Sequence, residues 1–162
     1  MKRILVAYFL TSALAFSRDL WFSQMGNGDR VEVTLQATGC FHNTTSYFEI
    51  RKSRDLLSFR EYAITWNKSS PPEILSKKMI GEVNLAETDI EGLDGLLKYY
   101  RDGKQGNSTS QVFLRIEYYE SGALVKVEDL QDYSGNIELK DRKSVVTFFA
   151  LAKRFQNKDI RP

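Results

Sequence analysis

The chain has 162 residues, with 23 Lys plus Arg, 21 Asp plus Glu and one His, for a formal charge of +2. Basic and acidic residues are interleaved, so the one-signed field that draws a nucleic-acid backbone is missing, and nucleic acid is not an expected partner. Cys40 is the single cysteine, so no intrachain disulfide can form and stability must come from a packed core.

Met1-Lys2-Arg3 places two cations ahead of the apolar run Ile4–Leu10, and no further charge occurs before Arg18. Ala13-Leu14-Ala15 then supplies small residues at the minus-three and minus-one positions of a signal peptidase site. These are the three parts of a secretory signal. The uncharged stretch Ile4–Ser17 is 14 residues long, short of the roughly 20 that a membrane span needs. Residues 1–15 are therefore read as a signal peptide, with a buried N-terminal strand as the alternative. The remainder is expected in an extracytoplasmic compartment, periplasmic or secreted, with no stable membrane span after cleavage. Losing Lys2 and Arg3 leaves 21 basic residues against 21 acidic ones.

Residues 16–29 read as a flexible N-terminal segment that includes the turn Met25-Gly26-Asn27-Gly28-Asp29. From Val31 the chain alternates strictly: Val31, Val33, Leu35 and Ala37 point one way, and Glu32, Thr34, Gln36 and Thr38 the other. A second strand is expected over Thr45–Lys52. A turn at Asn43-Thr44 would set Ala37 opposite Ile50, Gly39 opposite Phe48, and Cys40 opposite Tyr47. Leu57–Trp66 and Lys78–Leu85 are further strands, separated by the proline loop Asn67–Pro72. Thr88 and Glu91 have capping-box spacing, Ile90, Leu93, Leu97 and Tyr100 recur at helical spacing, and Gly103 is the stop signal, which predicts a helix over 88–102. Gly92 and Gly95 each cost that helix about 1 kcal/mol relative to Ala. Val112–Tyr119 and the strand after Ser121-Gly122 form a hairpin, with Glu117 facing Lys126 and Arg115 facing Glu128. A short strand at Ile137–Leu139 precedes a helix over 142–156, capped by Asp141 and apolar on more than one face. Residues 157–162 are a tail. The fold class is α+β: one domain over 30–156, a mainly antiparallel sheet built from hairpins and covered by two helices.

The chemistry-bearing residues are few. Cys40 and His42 stand two apart, a spacing that puts both on one face of a strand, where an imidazole can activate a thiol or share a metal with it. Glu49 is the nearest acid in the expected register. No second His, no other Cys, no G-x-S-x-G and no phosphate-cradling glycine motif accompanies them. No catalytic set, metal or cofactor is therefore assigned. Tyr47 and Tyr119, aromatic on otherwise polar strand faces, are the candidate contact residues. Three glycosylation sequons begin at Asn43, Asn67 and Asn107. The expected role is a non-catalytic exported domain that binds a protein, an envelope polymer or a small ligand. The alternative is an enzyme or metal-binding protein centred on Cys40 and His42.

Overall fold

The structure is a computed structural model and describes residues 19–39, 42–67, 74–103, 111–132 and 146–156. A 3-10 turn at Phe22–Gln24 leads into strands β1 (Arg30–Gly39), β2 (His42–Ser53), β3 (Leu56–Trp66) and β4 (Ile74–Asn84). Helix α1 (Glu87–Arg101), strands β5 (Gln111–Glu120) and β6 (Ala123–Asp132), and helix α2 (Phe148–Gln156) follow. The six strands make one sheet in the order β4-β3-β2-β1-β5-β6, antiparallel at every junction. This is the α+β class that the alternation and the helical spacing imply. The expected strand Ile137–Leu139 and residue Asp141 lie outside the described residues.

The alternation of β1 decides which face is covered. Val31, Val33, Leu35 and Ala37 are all buried, as are Phe48 and Ile50 of β2 and Val112, Leu114 and Ile116 of β5. Leu93, Leu96, Leu97 and Tyr100 of α1 pack onto this face, together with Phe148, Leu151 and Ala152 of α2. Phe48 anchors an aromatic cluster, 5.2 Å from Phe59, 5.7 Å from Phe148 and 5.9 Å from Phe149 between ring centroids. Each fully buried side chain of this size contributes about 1.5–3 kcal/mol.

Several expected details are corrected. The first hairpin is shifted by six residues: Val31 faces Ile50, Val33 faces Phe48 and Tyr47 faces Thr34, so Asn43 and Thr44 belong to β2. The pairing runs to Gly39 opposite His42. A shift by an even number keeps every side chain on the same face of the sheet, so period-2 patterning accepts both registers, and the poor fit of Thr to the second turn position weighs against the one at Asn43-Thr44. Phe48 faces Val33 and so does not form the expected ring-over-glycine pair with Gly39. That device appears instead at Gly81 of β4, where an added Cβ would lie 2.3 Å from the ring of Phe155. The last hairpin turns at Ser121 (φ 48°) and Gly122 (φ 90°), as expected. A bulge between Tyr118 and Tyr119 then shifts the register by one. Glu117 consequently faces Val127 and Arg115 faces Asp129, while Lys126 and Glu128 turn to the covered side opposite Tyr118 and Ile116.

The helix starts also differ. α1 begins after Ala86, whose N–H donates to the Asp89 carboxylate at 3.0 Å, so Thr88 lies inside the first turn and does not cap it. Gly103 (φ 60°) ends the helix as read. Gly92 admits Val146, 2.6 Å from the position its Cβ would take, whereas Gly95 faces open space. α2 begins at Phe148 and not at 142, with Thr147 Oγ1 accepting the Ala150 N–H at 3.1 Å. The two helices are latched by Arg154, which donates to both oxygens of Asp89 at 2.7 Å. Nor do residues 19–29 hang free. Phe22 is fully buried, its N–H donates to Asp94 Oδ1 at 2.7 Å, and near the end of β2 the Lys52 N–H donates to the Asp29 carbonyl at 3.0 Å while the Lys52 carbonyl accepts the Gly28 N–H at 3.1 Å.

Two outcomes test this packing. Gly81→Val should cost about 1–3 kcal/mol because Phe155 must leave its place. Gly95→Ala should add about 0.4–1 kcal/mol by removing unfolded-state freedom at an open helical site. Urea unfolding reads both. For the latch, the Arg154 hydrogen bonds hold the Asp89 carboxyl below the usual carboxylate range, outweighing the opposing effect of burial. A depressed folded pKa stabilises above the unfolded value of about 3.9 and is lost as pH falls through the folded one. Asp89→Asn should therefore cost about 1–2 kcal/mol at neutral pH, and the gap from wild type should close as pH drops below the carboxylate range.

Candidate functional site

Of the sequence-derived candidates, the structure describes the side chains of Tyr47, Glu49 and Tyr119. Cys40 lies outside the described residues, as does the side chain of His42, whose backbone opens β2 opposite Gly39. Glu49 sits seven residues further along β2, about 23 Å away at strand spacing, and so cannot orient an imidazole at position 42. It is opposite Glu32 and Arg60 and bonds the Arg60 guanidinium at 3.1 Å. Among the described residues, no group of three or more His, Cys, Asp or Glu side chains is arranged to hold a metal ion. None of the helices there is long and apolar enough to cross a membrane.

Tyr47 and Tyr119 do share the uncovered face of the sheet, but only one offers a surface. Tyr47 is 2% exposed. Tyr62 packs edge-on against it at 6.0 Å, the Lys77 ammonium lies 4.2 Å from the ring centre, and the hydroxyl donates to Glu32 and touches Lys77. Burial, then the Glu32 carboxylate, pushes its pKa far above the usual tyrosine value, so it stays a neutral hydrogen-bonded post. Tyr119 is half-buried. Its hydroxyl donates to Glu117 at 2.9 Å, and the Arg30 guanidinium lies 4.0 Å over one face of its ring.

Tyr119 also lines a cavity of about 560 Å³ at the turn end of the β5–β6 hairpin. Three parts of the chain build it. Leu20, Trp21, Gln24 and Met25, the strap ahead of β1, form one wall. Asp29, Arg30 and Val31 at the start of β1 form the second. Tyr118, Tyr119 and Glu120 of β5, with Leu124, Val125 and Lys126 of β6, complete it. The lining is thus mainly aromatic and aliphatic, with two acids and two bases. The positive φ of Ser121 and Gly122 gives the tight reversal, and the bulge that follows re-aims β6 so that Lys126 faces the covered side. Bulges are a common means of re-aiming a side chain next to a site.

Behind the cavity stands Arg101, the last residue of α1. Its Nε and Nη2 donate to the two oxygens of Glu128 at 3.0 and 2.9 Å. Nη2 also donates to the Leu20 carbonyl at 2.9 Å and to the Tyr118 hydroxyl at 3.3 Å. The guanidinium lies 4.5 Å over the Trp21 ring. Burial alone would raise the Glu128 pKa, but hydrogen bonds from Arg101 and Lys126 hold it below the carboxylate range. The Tyr118 hydroxyl titrates well above its usual value, first because of burial and then because of Glu128. The site is therefore built of fixed charges and neutral phenols.

Sequence reasoning named Tyr119 as a contact residue on a polar strand face and did not foresee the cavity that it lines. Leu20-Trp21-Phe22, a tight apolar triplet beyond the charged Arg18-Asp19, was the signal that the strap packs. Arg101 read as a charge complementing the helix dipole, and Glu128 as an outward cross-strand partner. No protein-family model matches this chain, and neither a curated protein nor a solved structure is similar to it.

Proposed function

We propose that this chain is a non-catalytic binding domain, exported by the signal at residues 1–15, that takes a small ligand with an apolar, ring-sized body in the cavity beside Tyr119. The cavity carries the reading. Its volume of about 560 Å³ lies within the usual span of small-molecule sites, roughly 300–1,000 Å³, and such sites pair a mostly apolar lining with a few placed polar groups. Trp21, Tyr118 and Tyr119 supply flat apolar surface, while Arg30 and Lys126 supply donors. The residues around it hold no nucleophile–base pair, so recognition is the chemistry that the arrangement supports.

The probe 1-anilinonaphthalene-8-sulfonate, an aromatic anion, tests the site. It should bind the folded protein saturably at one site. Tyr119→Ala and Leu124→Ser should each weaken it about tenfold, the loss of roughly 1.4 kcal/mol of apolar contact. The exposed apolar side chains of β4, Leu75 and Met79 among them, are the competing attachment point. Binding that ignores both cavity variants and is lost in Met79→Ser contradicts the proposal. For export, protein recovered outside the cytoplasm should have the intact mass of a chain starting at Phe16. Recovery there of the full-length mass contradicts the signal reading.

A further inference from the structure

We infer that Arg101 is the positioning residue of this cavity, setting its width before a ligand arrives by tying the strap to the β5–β6 hairpin. The inference rests on the ligand-site reading above, and it concerns a residue that does not itself line the cavity. Two of the cavity's walls come from segments far apart in sequence, and backbone pairing does not join the strap to the hairpin. The guanidinium does. On one side it holds the Leu20 carbonyl and lies over the Trp21 ring. On the other it holds the Tyr118 hydroxyl and both oxygens of Glu128. Glu128 in turn holds Lys126, 2.5 Å away, within the cavity lining.

The side chains of Arg101 and Glu128 are only 14% and 11% exposed, so solvent screens this link less than a surface pair. Only a planar fork of several donors can serve these acceptors at once. A lysine ammonium carries the same charge but cannot reproduce the fork. A wall held in its bound position before binding spares the ligand the entropy of ordering it, which is how a residue remote from the ligand changes affinity.

The test uses the Trp66→Phe background, which leaves Trp21 as the sole tryptophan. Arg101→Lys should red-shift Trp21 emission and increase its quenching by acrylamide without any ligand. It should also raise the anilinonaphthalenesulfonate dissociation constant about tenfold. Glu128→Gln, similar in size and lacking the charge, should shift both readouts the same way. Arg154→Lys weakens a second bidentate arginine–carboxylate latch, the one to Asp89. It should lower the melting temperature yet leave Trp21 emission and probe affinity unchanged, which separates positioning from general stability. Wild-type Trp21 emission and quenching in folded Arg101→Lys or Glu128→Gln would overturn the inference. If probe binding ignores Tyr119→Ala, the ligand-site reading fails by itself, and the ligand-free Trp21 readout still decides whether Arg101 sets the wall.

Discussion

The apolar row of β1, from Val31 to Ala37, lies between the apolar row of β5, from Val112 to Tyr118, and Phe48 and Ile50 of β2, and this face of the sheet has to be removed from water. Six strands at about 4.8 Å spacing make a surface about 24 Å wide, which two helices about 10 Å across nearly cover. Length is the difficulty. Strands of 10 to 12 residues extend about 33–40 Å, whereas α1 has 15 residues and α2 has nine, or about 22 and 14 Å of helix. The strap at Leu20–Met25 helps cover what the helices leave. Phe22 plugs the core completely, and the residues around it meet the hairpin less closely. The cavity follows from that incomplete cover.

The opposite face solves a different problem. Glu49, Glu32 and Glu117 stand directly across from one another on β2, β1 and β5, an arrangement that destabilises a sheet through like-charge repulsion. Each carboxylate has its own cation: Arg60 for Glu49, Arg30 and Lys77 for Glu32, and Arg115 for Glu117. The network packs around Tyr47 and pairs all three carboxylates, while Met79 and Val127 on the same face stay partly exposed. Tyr119 stands where the two faces meet, with the Arg30 guanidinium over its ring and the cavity beside it.

Local patterning made the elements legible, and non-local contacts decided what it missed. Alternation identified the faces of β1 and β5, and periodicity identified α1, because burial on one side is written into every second or every third to fourth residue. Register is not written that way. The first hairpin could slide by six residues with no face reversed, and a single bulge at the start of β6 moved Glu128 from the solvent side to the core side. The strap was harder still. Leu20-Trp21-Phe22 is too short to show a period, and its partners Asp94, Arg101 and Tyr118 lie more than 70 residues away. The candidate site inherits this difficulty, since alternation oriented β1 and β5, which bring Val31, Tyr118 and Tyr119, but gave no sign of the strap that faces them. Which acid lies nearest Cys40 and His42 depended on the register too, and in the observed one Glu49 stands seven residues along β2 from His42.

The account stands on the strap being an integral wall of the fold. Four successive amides report on it: Phe22 and Ser23 donate to Asp94, Gln24 donates to the Trp21 carbonyl, and Met25 donates to that of Phe22. Residue-resolved hydrogen exchange of the folded protein measures them directly. The amides of residues 22–25 should be protected, with Phe22 approaching the protection of the β1 amides. Exchange of all four at the rate of an unstructured peptide, with β1 still protected, would show a wall that is not built and would contradict the account.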